Sequence, residues 1–164
     1  MYKDFVKNKL KDNKHGFSLL ELMVVIIIIA IGAAIAIPSM SGWFSKKDLD
    51  SIARQMFSDF QWARSEAISN SNRVQIQVHM DPDWYQVIYT SSGRVIVPQT
   101  DMPQGIEITN TTFPASAIAN TTGISTRGFV TPGGSVTIHS DSAPVASSDR
   151  IITITLGGAV SIQP

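Results

Sequence analysis

Lys14-His15-Gly16-Phe17-Ser18-Leu19-Leu20-Glu21 opens onto Leu-Met-Val-Val-Ile-Ile-Ile-Ile-Ala-Ile-Gly-Ala-Ala-Ile-Ala-Ile-Pro over 22–38, and this stretch decides the fold. Residues 22–38 carry no charge. With Phe17, Leu19 and Leu20 they make an apolar span of roughly twenty residues, enough to cross a bilayer as a helix. Lys3, Lys7, Lys9, Lys11 and Lys14 precede it, against Asp4 and Asp12, and only Lys46 and Lys47 closely follow. The excess of lysine on one side predicts a cytoplasmic N-terminus, with everything after about Met40 outside. Glu21 is out of place. A carboxylate opposes insertion by roughly 2.5–3.5 kcal/mol at mid-membrane and by less near the interface, so a partner for it is expected.

Two ways of processing such a segment compete. An ordinary secretory signal is cut after the apolar run; Ala34-Ile35-Ala36 has the small-x-small pattern for this, and the product would be a soluble exported β protein. The alternative is a cut before the run. Residues 14–25 closely resemble the class III leader of type IV prepilins and pseudopilins. That resemblance implies that a prepilin peptidase cuts after Gly16 and methylates Phe17 as the new first residue. It also makes Glu21 and Pro38 the assembly glutamate and the helix proline of the family.

A cut on the cytoplasmic side keeps the anchor and creates a positive amine four residues from Glu21. Within one subunit, Glu21 falls in the first helical turn, where a negative charge suits the helix dipole. Between subunits, Glu21 of an incoming chain would pair with the Phe17 amine of a neighbour, which favours docking because an unpaired carboxylate is costly in lipid. Gly32 and Pro38 weaken the helix locally, Pro38 by removing one backbone hydrogen bond.

Past Pro38 the helical period resumes. Leu49, Ile52, Ala53, Met56, Phe57, Phe60, Ala63 and Ala67 recur at three- and four-residue spacing, with Lys46, Asp50, Arg54, Asp59 and Arg64 mostly elsewhere. Ser69-Asn70-Ser71-Asn72 signals the end of this helix. The period then changes to two: 74–78 and 84–90 flank Asp81-Pro82-Asp83 as a hairpin, and further strands are expected at 94–97, 105–109, 123–130, 135–140, 150–156 and 159–162. Segments 110–122 and 141–148 read as loops. The expected fold is α+β, with a long N-terminal helix packed on a C-terminal β-sheet domain. The parts are a leader at 1–16, a transmembrane and assembly helix at 17–38, an amphipathic helix at 39–70 and a β-rich domain at 71–164. Ala63-Arg64-Ser65-Glu66-Ala67-Ile68 before a strand, with Gly128-Phe129 and Pro132-Gly133, looks like the GspH/FimT group of minor pseudopilins and minor pilins. Family packing would need Ala63, Ala67 and Ile68 alone, leaving Arg64 and Glu66 solvated.

Composition and motifs argue against catalysis. The chain has no cysteine, which excludes disulfides and thiolate chemistry, and it has no phosphate-binding glycine loop, zinc-ligand spacing or nucleophile elbow. No cofactor is expected. His79 and His139 look outward from strands without a ligand pair, and Asp141 with Asp149 supplies too few oxygens for a calcium shell of six to eight. Trp43 reads as an interfacial anchor, Trp62 and Trp84 as core. The chain holds 13 basic and 13 acidic residues, and removing 1–16 leaves 8 and 11. That balance gives no general pull toward nucleic acid.

FimT-like DNA binders carry Gly-Arg-x-Arg in the C-terminal hairpin. The matching stretch here is Gly158-Ala159-Val160-Ser161, and Arg73, Arg94, Arg127 and Arg150 are scattered along the chain. The leading expectation is a structural subunit of a type II secretion pseudopilus or type IV pilus. It would sit in the inner membrane with its domain periplasmic, served by prepilin peptidase, other subunits and the assembly platform. A DNA-capturing minor pilin and a secreted β protein are the alternatives.

Overall fold

The computed structural model describes residues 17–164, the side chains of 36–41 excepted. The chain separates into two units, Met1–Pro38 and Ser39–Pro164. Helix α1 (Leu19–Ser69) begins in the first and supplies the opening of the second. It stays helical through Gly32 and Pro38, so the weakening expected there does not end it.

In the second unit the expected apolar stripe of α1 is the buried one. Leu49, Ala53, Met56, Phe60, Ala63 and Ala67 are fully or almost fully buried, while Ile52 and Phe57 flank them half-exposed. The helix ends as the Ser/Asn run predicts. Asn72 N–H donates to Ala67 O at 3.2 Å and Ser71 N–H to Ile68 O at 3.3 Å, with Ser71 at φ +47. This is the Schellman pattern with serine where glycine is usual.

Nine strands follow, all pairing antiparallel. They are β1 (Val74–Met80), β2 (Asp83–Tyr89), β3 (Val95–Asp101), β4 (Glu107–Thr111), β5 (Asn120–Ile124), β6 (Val130–Thr131), β7 (Gly134–His139), β8 (Asp149–Ile154) and β9 (Val160–Gln163). One sheet has the order β3-β2-β1-β5-β6, the other β4-β7-β8-β9. Both bury alternate residues, Val74, Ile76 and Val78 from β1 and Ile152 and Ile154 from β8, in one core with the α1 stripe. Phe60 of α1 meets Tyr85 of β2 edge to face, 6.2 Å between ring centroids.

Two expectations about the strands need correction. The segment 110–122 is not all loop: β4 runs into it, and β5 starts within it at Asn120, three residues before the expected strand. Thr121 and Thr122 belong to the ladder because they lie opposite Gln77 and Ile76 of β1, and buried Thr122 donates its hydroxyl to Pro132 O. The segment 123–130 is not one strand. It turns between Ser125 and Phe129, whose backbones bond at 2.8 Å, around Gly128 at φ +80, and returns as β6. The 141–148 loop holds a 3-10 turn at Val145–Ser147.

Candidate functional site

Phe17 and Ser18 precede α1, and Glu21 lies in its first turn, where Leu22 N–H donates to Ser18 O at 3.1 Å. Every residue from 17 to 35 is exposed, from Phe17 at 78 % to Ile35 at 72 %. This stretch buries no apolar face within its own unit. Glu21 has no ion-pair or hydrogen-bond partner among the described residues. Gly16 lies outside the described residues, and so does the side chain of Pro38. Among the described residues no helix is long and apolar enough to cross a membrane. The span expected from sequence also counts 36–38, whose side chains lie outside the described residues.

In the second unit, charged residues beside the buried stripe fasten α1 to the sheets. Arg150 of β8 donates through Nε to Asp50 at 2.7 Å. Tyr85 Oη donates to Asp59 at 2.6 Å; burial, then the Asp59 carboxylate, hold this phenol far above its ordinary pKa. Arg64 Nε donates to Gly128 O at 3.2 Å, and Tyr89 Oη donates to Glu66, which also accepts from Asn70 Nδ2 at 2.7 Å. The hydrogen bond to Glu66 is the main cause raising the Tyr89 pKa. Arg64 and Glu66 are therefore half-buried and bonded rather than solvated.

Gly128 and Gly158 make the contact with Arg64 that tight. A Cβ on Gly158 would stand 2.3 Å from Gly128 O, and one on Gly128 would stand 2.7 Å from Ile68 Cδ1. Buried Ala63 and Ala67 keep the adjoining helix surface low. The signal for this junction lay in the glycines at 128 and 158, which the sequence reading treated as turn or motif residues.

Residues 53–158 match the family model for type II transport protein GspH. The chain belongs to the GspH family. A prokaryotic N-terminal methylation motif matches 11–37, covering Gly16, Phe17 and Glu21. No curated protein matches the chain. Its fold is similar to that of the minor pseudopilin EpsH from the type 2 secretion system of Vibrio cholerae, with a TM-score of 0.59 and 13 % identity over 71 % of this chain and 96 % of that one. It is also similar to the type IV minor pilin FimU of Pseudomonas aeruginosa, with a TM-score of 0.56 and 18 % identity over 74 % and 92 %. At these identities the likeness is one of fold. A GspH-family domain behind a methylation motif is that of a structural subunit of the pseudopilin and minor-pilin type.

Other predicted positions of this GspH-family chain fall as follows. Trp84 is buried, but Trp62 is 48 % exposed, because position 62 lies off the stripe through Phe60 and Ala63. Trp43 is exposed, edge-on to Phe44 at 5.2 Å, with Lys47 Nζ 4.2 Å from its ring centroid. His79 stacks on Trp84 at 5.2 Å. His139 sits between Asp149 (2.6 Å) and Asp141 (3.0 Å), and the bond to Asp149 leads in raising its pKa. Among the described residues no His, Asp or Glu group has the arrangement of a metal site. Of the arginines considered for DNA, Arg73, Arg94 and Arg127 are exposed and Arg150 is buried in its ion pair.

Proposed function

We propose that this GspH-family chain is a minor structural subunit of a type II secretion pseudopilus or type IV pilus, made as a precursor and matured at its N-terminus. Prepilin peptidase cuts between Gly16 and Phe17 and methylates Phe17. The helix 17–38 holds the protein in the inner membrane, N-terminus inward and β domain in the periplasm, with Trp43 and Lys47 at the interface. The assembly platform then moves it into the filament. There Glu21 pairs with the Phe17 amine of a neighbour, and the apolar faces of 17–35 exchange lipid for other helices. Pro38 adapts the helix where it leaves the membrane.

The observation that carries this reading is Glu21, a carboxylate without a partner among the described residues, in the first turn of α1, where residues 17–35 bury no face, and four residues from the proposed new amine. No described residue covers either the charge or the apolar surface, and neighbouring subunits would supply partners for both. Intact mass and N-terminal sequencing of the membrane-extracted protein test it. A start at Phe17 carrying one methyl group is expected. A start at Ile37, left by an ordinary signal peptide, would overturn it.

A further inference from the structure

The two sheets have four outer strands, and three of these resist pairing with another chain. β3 contains Pro98 and breaks register against β2, β4 shifts register between Ile108 and Asn110, and β6 is two residues long. Prolines, bulges and short lengths of this kind are how sheet edges are kept from adding strands. β9 has neither proline, charge nor bulge, and it keeps register with β8 from Ile154↔Val160 to Ile151↔Gln163.

The hydrogen bonds fix which of its groups face outward. Thr155 N–H donates to Ala159 O at 2.9 Å, so these two form a hydrogen-bonded pair. Alternation along an antiparallel ladder then turns the amides and carbonyls of Ser161 and Gln163 toward β8, and those of Val160 and Ile162 away from it. Among the described residues nothing bonds the outward groups of Val160 and Ile162.

Two separate cavities lie along this edge with α1 as their other wall, and together they outline a groove. At one end Asp50, Arg54 and Phe57 line a cavity of about 480 Å³ with Arg150, Ile162 and Gln163. At the other, Gln61, Arg64 and Ile68 line one of about 440 Å³ with Gly158, Ala159 and Val160. These helix residues recur every three or four positions from 50 to 68, a stripe about 27 Å long at 1.5 Å per residue. Phe57 is half-exposed along it, and Arg54 is exposed with no ion pair among the described residues.

We propose that this groove receives an extended segment of a different neighbouring subunit, which joins β9 as a fifth strand of the β4-β7-β8-β9 sheet. The proposal rests on the filament reading above. The added strand lies about 4.8 Å from β9 and bonds the outward groups of Val160 and Ile162. Its side chains on one face rest on Phe57, and an acidic residue is favoured opposite Arg54. Backbone pairing gives affinity, and alternate side chains give specificity.

The test uses the full-length chain expressed with its partner subunits, measured in sheared filaments against its level in the membrane. Ile162→Ala and Ile162→Pro both remove the side chain, but only proline removes the outward N–H. Incorporation near wild type is expected for the alanine variant, and a fall of about tenfold for the proline variant, as for one lost interstrand hydrogen bond. Arg54→Glu, on the exposed helix surface, is expected to lower incorporation several-fold without changing thermal unfolding of the extracted protein. Equal incorporation of the two Ile162 variants overturns the proposal. If the proline variant does not fold, unchanged incorporation of Arg54→Glu overturns it. A detergent-extracted wild-type dimer that Arg54→Glu disrupts would make the occupant a second copy and overturn the assignment. Wild type absent from filaments would overturn the filament reading itself, whereas wild type present with no variant effect removes the groove alone.

Discussion

Arg150 on β8 and Asp50 on α1 form an ion pair at 2.7 Å across a hundred positions of chain, and the two ends are unequally buried, 10 % exposed for the arginine side chain and 38 % for the aspartate. The guanidinium also donates to Ser147 O at 3.2 Å and Asp149 O at 2.5 Å. Removing Asp50 strands a buried cation, whereas removing Arg150 leaves a carboxylate that water can reach. Asp50→Ala is therefore expected to cost about 2–3 kcal/mol and Arg150→Met about 1 kcal/mol, the latter discounted for solvent screening. Chemical unfolding of the extracted chain measures both, and the reverse order would refute the burial argument.

Gly158 is the tightest point between helix and sheet. Its φ is +77, and a methyl there would meet Gly128 O at 2.3 Å and Arg64 Nε at 2.5 Å. Gly158→Ala is expected to cost at least about 2 kcal/mol, the left-handed backbone penalty plus the clash, and Gly93→Ala only about 1 kcal/mol. Gly93 also has positive φ but stands in open space. Thermal unfolding of the two variants separates contact from backbone.

The helix face was legible because its period repeats over twenty residues, and Glu21 because a carboxylate in an apolar run is conspicuous wherever it stands. Arg64 and Glu66 were not. Their partners are Gly128 and Tyr89, 64 and 23 positions away, and no local pattern joins them. Trp62 was misplaced by residue type, although its position off the stripe already put it outside. Thr121 and Thr122 read as loop by polarity, yet opposite β1 their branched side chains suit a strand. The free edge of β9 was illegible, since an unpaired edge depends on the order of strands in a sheet.

Ser71 closes α1 in a left-handed conformation that costs a residue with a Cβ about 1 kcal/mol. Ser71→Gly is expected to stabilise the protein by about 0.5–1 kcal/mol, read as a raised unfolding midpoint. A lower midpoint would mean that the serine side chain contributes more than its backbone strain costs.

His139 bonds Asp149 and Asp141, and its folded pKa lies above the ordinary 6.5. Its stabilising contribution is fully present below pH 6.5 and is lost as pH rises through the folded value. The ring C–H shift of His139 is expected to titrate above 6.5. His139→Gln should flatten the fall in stability over that window, and a midpoint at or below 6.5 would exclude the charged pair.

Maturation and assembly are expected to separate by mutation. On the proposed maturation, Gly16→Leu should leave an uncut precursor, because a cut at that position would need a small residue. Glu21→Ala should insert and be cut, since insertion improves without the carboxylate, yet enter filaments poorly. Immunoblots of membrane and sheared filament fractions read both, and normal filament incorporation of Glu21→Ala would rule out the amine pairing.

The fastenings along α1 also have a mechanical meaning. Asp50, Asp59, Arg64 and Glu66 bind β8, β2 and the turn before β6 at points spread along the helix. A pull along the helix axis loads these bonds together, in shear, instead of peeling them one after another. A domain fastened in this way spreads tension on that stretch of helix into both sheets at once and yields by sliding as a unit.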